Sequence, residues 1–564
     1  MRALTGVAGP LKRYMRLLTG VVRALKRDTR AITGDVRALK RDTRAITGVM
    51  RAPKRYRMAL TGYTRGPNGF MGAITDDGCS PTRCSRALAG FMRARTADAG
   101  RDLVYSGAAS CRAEQATRHV SGPSITCNEE TFMQSKMKRR EFLKRSACAG
   151  MAGLGVGVWS SRSRAESKSP SEKLNVACVG TANQARFSIG NLQSENIVAV
   201  CDIDDKLLDK AVADFPRAKR FTDFRKMFDE MHGEIDAVTV ATPDHIHAPA
   251  SMMAMKLGKH VYCEKPLTHS VYEARVLAET AAKMKVATQM GTQIHAGGNY
   301  RRVVEIIQSG AIGPVREAHT WAGRAWGGGD RPKESPPIPP HIHWDVWLGP
   351  APERPYHPTY LPQNWRKWWD FGGGNIADMA CHHMDLPFWA LGLRHPTTIE
   401  AEGPSVHPET CPLGLIVHYE FPARGDRPPV TLHWYDGEKI PPKIHGINTS
   451  GGGNLFVGDK GMMAADYGHY KLYPESDFAN FKPPAPTIAD SIGHHKEWVE
   501  ACKTGSPTTC NFNYSGALTE AVLLGNVAYR TGTKIEWDPK KLVATNCADA
   551  ERFIRREYRK GWTL

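Results

Sequence analysis

The chain of 564 residues reads as an α/β protein: a doubly wound parallel sheet followed by an α+β domain with a mostly antiparallel sheet. Three observations carry that expectation. Between Leu174 and Met290, short and nearly continuous apolar runs alternate with helical segments, as parallel strands covered on both faces do. After Gln293 the texture changes to long loops rich in Gly, Pro and Trp, with strands such as Gly414 to Phe421 and Val430 to Trp434. Helix returns at Ile492–Ala501 and Ser515–Arg530, and an apolar fraction of 41% leaves no shortage of core.

Taken from the start, residues 1–136 are a basic low-complexity segment. Lys26 to Gly34 recurs as Lys40 to Gly48, a period of 14, yet Gly and Thr interrupt every unit and no stretch can bury a core. Disorder, or a start codon placed too early with translation beginning at Met137, is the expectation. This segment also holds most of the charge. Its 25 Lys and Arg against 10 Asp and Glu give +15, leaving +4 for the other 428 residues. A nearly neutral body argues against the extended basic groove that nucleic acid requires. Residues 137–166 have the plan of a twin-arginine export signal: Lys138-Arg139-Arg140-Glu141-Phe142-Leu143-Lys144, a small apolar run from Ser146 to Trp159, then Ser163-Arg164-Ala165. A periplasmic protein follows from that reading, or a cytoplasmic one if the signal is not used. The apolar run is too short and glycine-rich for a stable membrane anchor.

Residues 172–292 form the expected dinucleotide domain. Its strands are Leu174 to Gly180, Ile197 to Asp202, Ile235 to Ala241, Lys259 to Cys263 and Val286 to Met290. The first turn, Gly180-Thr181-Ala182-Asn183-Gln184-Ala185, stands where a G-x-G-x-x-G fingerprint would, but with Ala182 and Ala185 at its second and third glycine places. Asp202 ends the second strand, where a carboxylate can accept from the adenosine ribose and repel a 2′-phosphate, so NAD is expected over NADP. Its alternative role is to cap the helix beginning near Asp204. Thr242-Pro243-Asp244-His245-Ile246-His247 follows the third of these strands, so Thr242, Pro243 and His247 are candidate cofactor contacts, with His247 equally readable as a satisfied turn residue. Glu264-Lys265-Pro266 follows the fourth and puts an amine at the ligand-binding edge of the sheet, on a backbone that proline restrains.

Residues 293–545 are expected to form the substrate and oligomerisation domain, and 546–564 a C-terminal tail. Within the former, Gly372-Gly373-Gly374 opens a loop before a helix in which Asp378, His382 and Asp385 fall at i, i+4 and i+7, on one face, with His383 turned away. A histidine or a buried lysine can take a hydroxyl proton and an aspartate can orient the hydroxyl, so Lys265, His382 and Asp378 are the candidate catalytic group. Metal ligation by Asp378, His382 and His383 is the competing reading; it lacks a third convergent ligand, and no metal is expected. Trp321, Trp326, Trp344, Trp347, Trp365, Trp368 and Trp369 crowd one stretch. Their flat faces suit sugar rings or core packing alike, and Trp365 with Arg301 and Arg324 are the candidate substrate contacts. None of the eight cysteines after Cys148 has zinc or redox spacing, so they are expected to be small buried residues.

With Glu264-Lys265-Pro266 and the Gly372 to Asp385 motif together, the chain from about Lys173 to its end resembles the glucose-fructose oxidoreductase and inositol dehydrogenase (Gfo/Idh/MocA) family, in its exported, tryptophan-rich, planctomycete-type NADH-dependent form. The resemblance implies a Rossmann domain and an open antiparallel sheet often used for oligomer contacts, so a homo-oligomer is expected. It also implies that Lys265 is the catalytic lysine, His382 the catalytic histidine and Asp378 the substrate-binding aspartate. The expectation is an NAD-dependent oxidoreductase acting on a secondary hydroxyl of a sugar, sugar acid or cyclitol. A redox-neutral NAD-using glycosidase and a non-catalytic sugar-binding protein are the alternatives. The departure at Ala182 and Ala185 bears on cofactor affinity more than on fold.

Overall fold

The computed structural model describes residues 172–564; the expectations for 1–136 and 137–166 lie outside them. The chain first alternates β1 (Asn175–Val179), α1 (Gln184–Gly190), β2 (Asn196–Cys201), α2 (Asp205–Asp214), β3 (Lys219–Phe221), α3 (Phe224–Met231), β4 (Ala237–Val240), α4 (Asp244–Lys256), β5 (His260–Cys263), α5 (Val271–Met284) and β6 (Thr288–Met290). The six strands pair in parallel in the order β3-β2-β1-β4-β5-β6. Sequence order reverses between β1 and β4, which opens a ligand crevice outside their carboxyl ends. The central strands are apolar throughout because helices cover both faces; Val176, Ala177, Cys178, Val238 and Val261 are all fully buried. Local signals fix where the helices start. Asp204 and Asp223 cap α2 and α3, and Ser270 with Glu273 forms a capping box on α5. The short β3, too polar to stand out from the sequence, is the strand the reading lacked.

Next come α6 (Gly298–Gln308), β7 (Val315–Ala322), α7 (Trp344–Leu348), a π turn at Ile376–Ala380, α8 (Cys381–His383) and α9 (Asp385–Leu391). The strands β8 (Thr398–Glu402), β9 (Ile416–Phe421), β10 (Val430–Asp436), β11 (Lys443–Ile444), β12 (Ile447–Asn448), β13 (Gly452–Gly458), β14 (Gly461–Ala465) and β15 (Tyr470–Tyr473) lead into α10 (His494–Thr504) and α11 (Phe512–Thr531). The chain closes with β16 (Ile535–Asp538), β17 (Val543–Ala544) and α12 (Glu551–Ile554). Nine of these strands form one sheet, β15-β14-β13-β7-β10-β9-β8-β16-β17, in which only the β7–β10 pair is parallel. Period-two alternation sends Ala318, Ala322, Leu432 and Trp434 into the main core. Trp321, Tyr435 and Leu455 go to a smaller cluster on the other face.

The end of the chain is tied to the nucleotide half. Trp498 and Cys502 of α10 share a core with Leu174, Val176 and Tyr262. Residues 546–564, expected as a tail, pack instead on the first domain: Trp562 lies against Phe224 and beneath the Arg225 guanidinium, and Arg556 pairs with the buried Glu273 at 2.7 Å. The eight cysteines of the described residues are free, and seven of them are buried. No helix among the described residues is long and apolar enough to cross a membrane.

Candidate active site

Lys265 stands just past the end of β5, and the π turn of the second domain comes to meet it. Its Nζ donates to Asp378 Oδ1 at 2.7 Å and to the Asp378 carbonyl at 2.6 Å. The same carboxylate accepts from Arg366 Nε at 3.0 Å and from Trp326 Nε1 at 2.8 Å. Burial alone would raise the Asp378 pKa, but the Lys265 and Arg366 charges and these hydrogen bonds outweigh it and hold the carboxylate far below its usual range. It is therefore a permanent anion that fixes the lysine's amine at the junction of the two domains.

Beside this pair lies His382, half-buried, its pKa pushed well below the usual value by burial first and then by the Lys265 charge. At neutral pH it is an uncharged imidazole able to accept a proton. A regular helix would carry Asp378, His382 and Asp385 on one face; the π turn, a frequent companion of functional sites, changes that register. Asp385 turns away into a separate buried group, held by His295 Nδ1 at 2.9 Å and Tyr514 Oη at 2.7 Å. His383, expected to point elsewhere, stacks on Tyr467 and contacts its hydroxyl at 3.0 Å.

The nucleotide side is built at the carboxyl ends of β1, β2 and β4. Gly180 has φ +94°, and a Cβ there would meet the Ala241 carbonyl oxygen at 2.4 Å, so only glycine lets this turn pass β4. Ala182 and Asn183 (φ 52°) carry the loop into α1, and Ala185, at the fingerprint's last place, is buried against the turn. Asp202 Oδ2 accepts from the Thr181 amide at 2.9 Å and its hydroxyl at 2.8 Å, so the carboxylate sits beside the loop; the cap of α2 is Asp204 instead. Glu264 Oε1 accepts from Ser188 and Gln293, both at 3.0 Å, while its buried Oε2 has no partner. This glycine turn, the carboxylate at the end of β2 and the unpartnered buried acceptor past β5 fit a dinucleotide lying across the crevice.

Several candidate contacts have other partners. His247, buried to 1% exposure, takes the turn-residue alternative: its ring nitrogens reach the Pro266 carbonyl at 2.7 Å and the Thr242 carbonyl at 2.8 Å, so it ties the Thr242-Pro243 turn to the turn after Lys265. Arg301 is spent on a buried ion pair with Glu497 at 2.9 Å. Trp365 is buried in an aromatic core beneath the Arg366 guanidinium. Trp326, half-buried and bonded to Asp378, is the tryptophan the site uses, and Arg324 stands exposed near His382. The sequence reading also lacked Arg366 and Asp244. Burial pushes the Asp244 carboxyl up to about 8, against the pull of Arg366 and Lys265, so at neutral pH it is mostly protonated. Arg366 carries no motif, and only the fold brings it to Asp378.

Both domains match a known family. Residues 174–292 match the model of an oxidoreductase family's NAD-binding Rossmann fold, and residues 301–564 match the same family's C-terminal α/β domain. The inositol 2-dehydrogenase of Rubrobacter xylanophilus is 32% identical over 149 residues, 25% of this chain and 42% of that protein. A glycosyl hydrolase family 109 protein of Shewanella pealeana is 24% identical over 203 residues, 32% of this chain and 44% of that one. This chain thus spans less than half the length of either relative. Among solved structures, the aldose-aldose oxidoreductase of Caulobacter crescentus, complexed with glycerol, is similar at 17% identity and a TM-score of 0.45, over 65% of this chain and 100% of that one.

Proposed function

The chain belongs to the Gfo/Idh/MocA oxidoreductase family, and we propose that it is an NAD-dependent dehydrogenase acting on a secondary hydroxyl of a sugar, sugar acid or cyclitol. The observation that carries this reading is the Lys265–Asp378 pair, 2.7 Å apart at the ligand-facing edge of the nucleotide sheet with a neutral imidazole beside it. When bound, NAD supplies the hydride acceptor. The chain's residues handle the proton. Lys265, its charge balanced by Asp378, donates a hydrogen bond to the substrate hydroxyl oxygen and stabilises negative charge developing there. His382 takes the proton as a general base. Arg366 and Trp326 hold Asp378 in place, Arg324 binds polar groups of the substrate at the mouth, and the Asp202 carboxylate favours NAD over NADP by repelling a 2′-phosphate.

A panel of sugars, sugar acids and cyclitols incubated with NAD tests the reading through NADH absorbance. Net NADH from at least one of them, lost in Lys265→Ala, is the expected result. Similarity to a family 109 glycosyl hydrolase motivates one second reading, redox-neutral cleavage of a glycoside with retained NAD. Glycoside cleavage without net NADH would replace the first reading by the second. The proposal extends to location: the twin-arginine pattern of residues 137–166 supports export, which cell fractionation checks.

A further inference from the structure

The outer face of the nine-stranded sheet carries a second polar cluster, away from Lys265. Its origin is strand register. His433 of β10 pairs with His319 of β7 on one side and with His418 of β9 on the other, so three imidazoles stand in a row across three strands. Glu317, two residues before His319, shares its face. The turn joining β11 to β12 adds His445, in the left-handed region at φ 46°.

These groups converge on one carboxylate. Glu317 Oε1 lies 2.9 Å from His319 Nε2 and 3.4 Å from His433 Nε2, and Oε2 lies 3.4 Å from His445 Nε2. The ligand atoms of Glu317, His319 and His433 all fall within 4.8 Å of one another. Around a tetrahedral zinc ion with bonds of about 2.0–2.1 Å, ligand atoms stand about 3.3 Å apart. His319 Nε2 is buried and, despite its closeness to Glu317, is not aligned for a hydrogen bond with anything.

The other ring nitrogens of His319 and His433 are already engaged, which orients these two rings. His319 Nδ1 meets the Tyr435 hydroxyl at 3.1 Å, and His433 Nδ1 meets His418 Nδ1 at 2.6 Å. His418 in turn reaches Glu402 at 3.3 Å. Metal-ligating histidines have this arrangement, one nitrogen for the ion and one fixed by an outer partner.

We propose that Glu317, His319, His433 and His445 form a zinc site that pins the β11–β12 hairpin to the sheet. Three imidazole nitrogens and one carboxylate oxygen suit a borderline ion such as Zn2+ better than Mg2+ or Ca2+, which prefer all-oxygen shells. This departs from the sequence reading, which expects no metal and weighs ligation only at Asp378, His382 and His383.

The test uses the full chain, stripped with EDTA, loaded with Zn2+, desalted and measured for metal content and thermal shift. One Zn2+ per chain is expected, with a rise in Tm on zinc addition. Affinity should fall at least tenfold in Glu317→Gln and in His445→Ala, and zinc should be lost in the double variant. Glu317 is half-buried and His445 exposed, and circular dichroism checks that these variants fold. Zinc retained undiminished by the double variant, or no zinc retained by the unaltered chain, overturns the site. His382→Ala must keep its zinc; loss there with retention in the double variant assigns the ion to the domain junction and overturns the proposal equally.

Discussion

The junction of the two domains and the outer face of the nine-stranded sheet each gather polar groups around one carboxylate, and they settle its charge differently. At the junction, Asp378 is balanced by two cations and an indole donor, so its anion is satisfied by the protein alone. On the sheet face, Glu317 is met by three imidazoles, and no Lys or Arg of the described residues forms an ion pair with it. The first arrangement is the one proposed to act on a substrate. The second is the set of ligands proposed to hold zinc. Residue types alone do not separate these cases; the identity of the facing donors does.

The largest effect that sharpens this contrast is expected from Lys265→Ala. Removing the amine takes away the group proposed to stabilise the reacting oxygen, and kcat should fall by about 10²–10³-fold, as for loss of a donor to developing negative charge, with NAD binding retained in a fluorescence titration. Next is Asp378→Asn, which leaves Lys265 and Arg366 without their counter-charge. Removing one partner of a buried pair costs about 3 kcal/mol, read in denaturant unfolding. An unchanged stability would mean that the junction is no more charge-dependent than the sheet face.

Gly291→Ala should come third. A Cβ there would lie 2.3 Å from Glu264 Oε2, and overpacking of this kind costs about 1–3 kcal/mol, with weaker NAD binding as the functional sign. A smaller effect is expected from Asp244→Asn. The Asp244 carboxyl moves from 3.8 to about 8 on folding, so between those values the folded state binds more protons and stability falls as pH rises. The amide cannot ionise, so the variant should show a shallower fall in Tm across that window; an identical slope would show that Asp244 does not titrate with folding. The smallest effect is expected from His445→Ala in metal-free protein. Loss of this exposed imidazole should cost under about 0.5 kcal/mol, against the clear zinc dependence expected when the metal is present.

How much of this was legible in the chain differs residue by residue. Lys265 could be found because a strand, a proline and a charged pair are local features, and Asp378 and His382 because a glycine run announces the helix they stand on. The strands of the first domain were readable because burial on both faces leaves continuous apolar runs, whereas β3, at the sheet's edge with two exposed residues of three, carried no such run. Trp365 and Trp326 are alike in sequence; one is packed under Arg366 and the other bonds Asp378. Arg301 and Arg366 are likewise two arginines near aromatic residues, and only the fold gives one to Glu497 and the other to the site.

By itself the sequence determined the buried strands of the first domain, the turn chemistry at Gly180, the proline-restrained lysine and the family to which these belong, since each rests on neighbours a few residues apart. Tertiary structure alone decided which distant groups meet. It brought Arg366 and Trp326 to Asp378, turned His247 inward to tie two loops, and folded Trp562 back onto α3. It also aligned His319, His433 and His418 across three strands. The reason is physical: periodicity fixes the face on which a side chain stands, but register and packing between distant segments fix its partners, and charge and protonation follow from the partners.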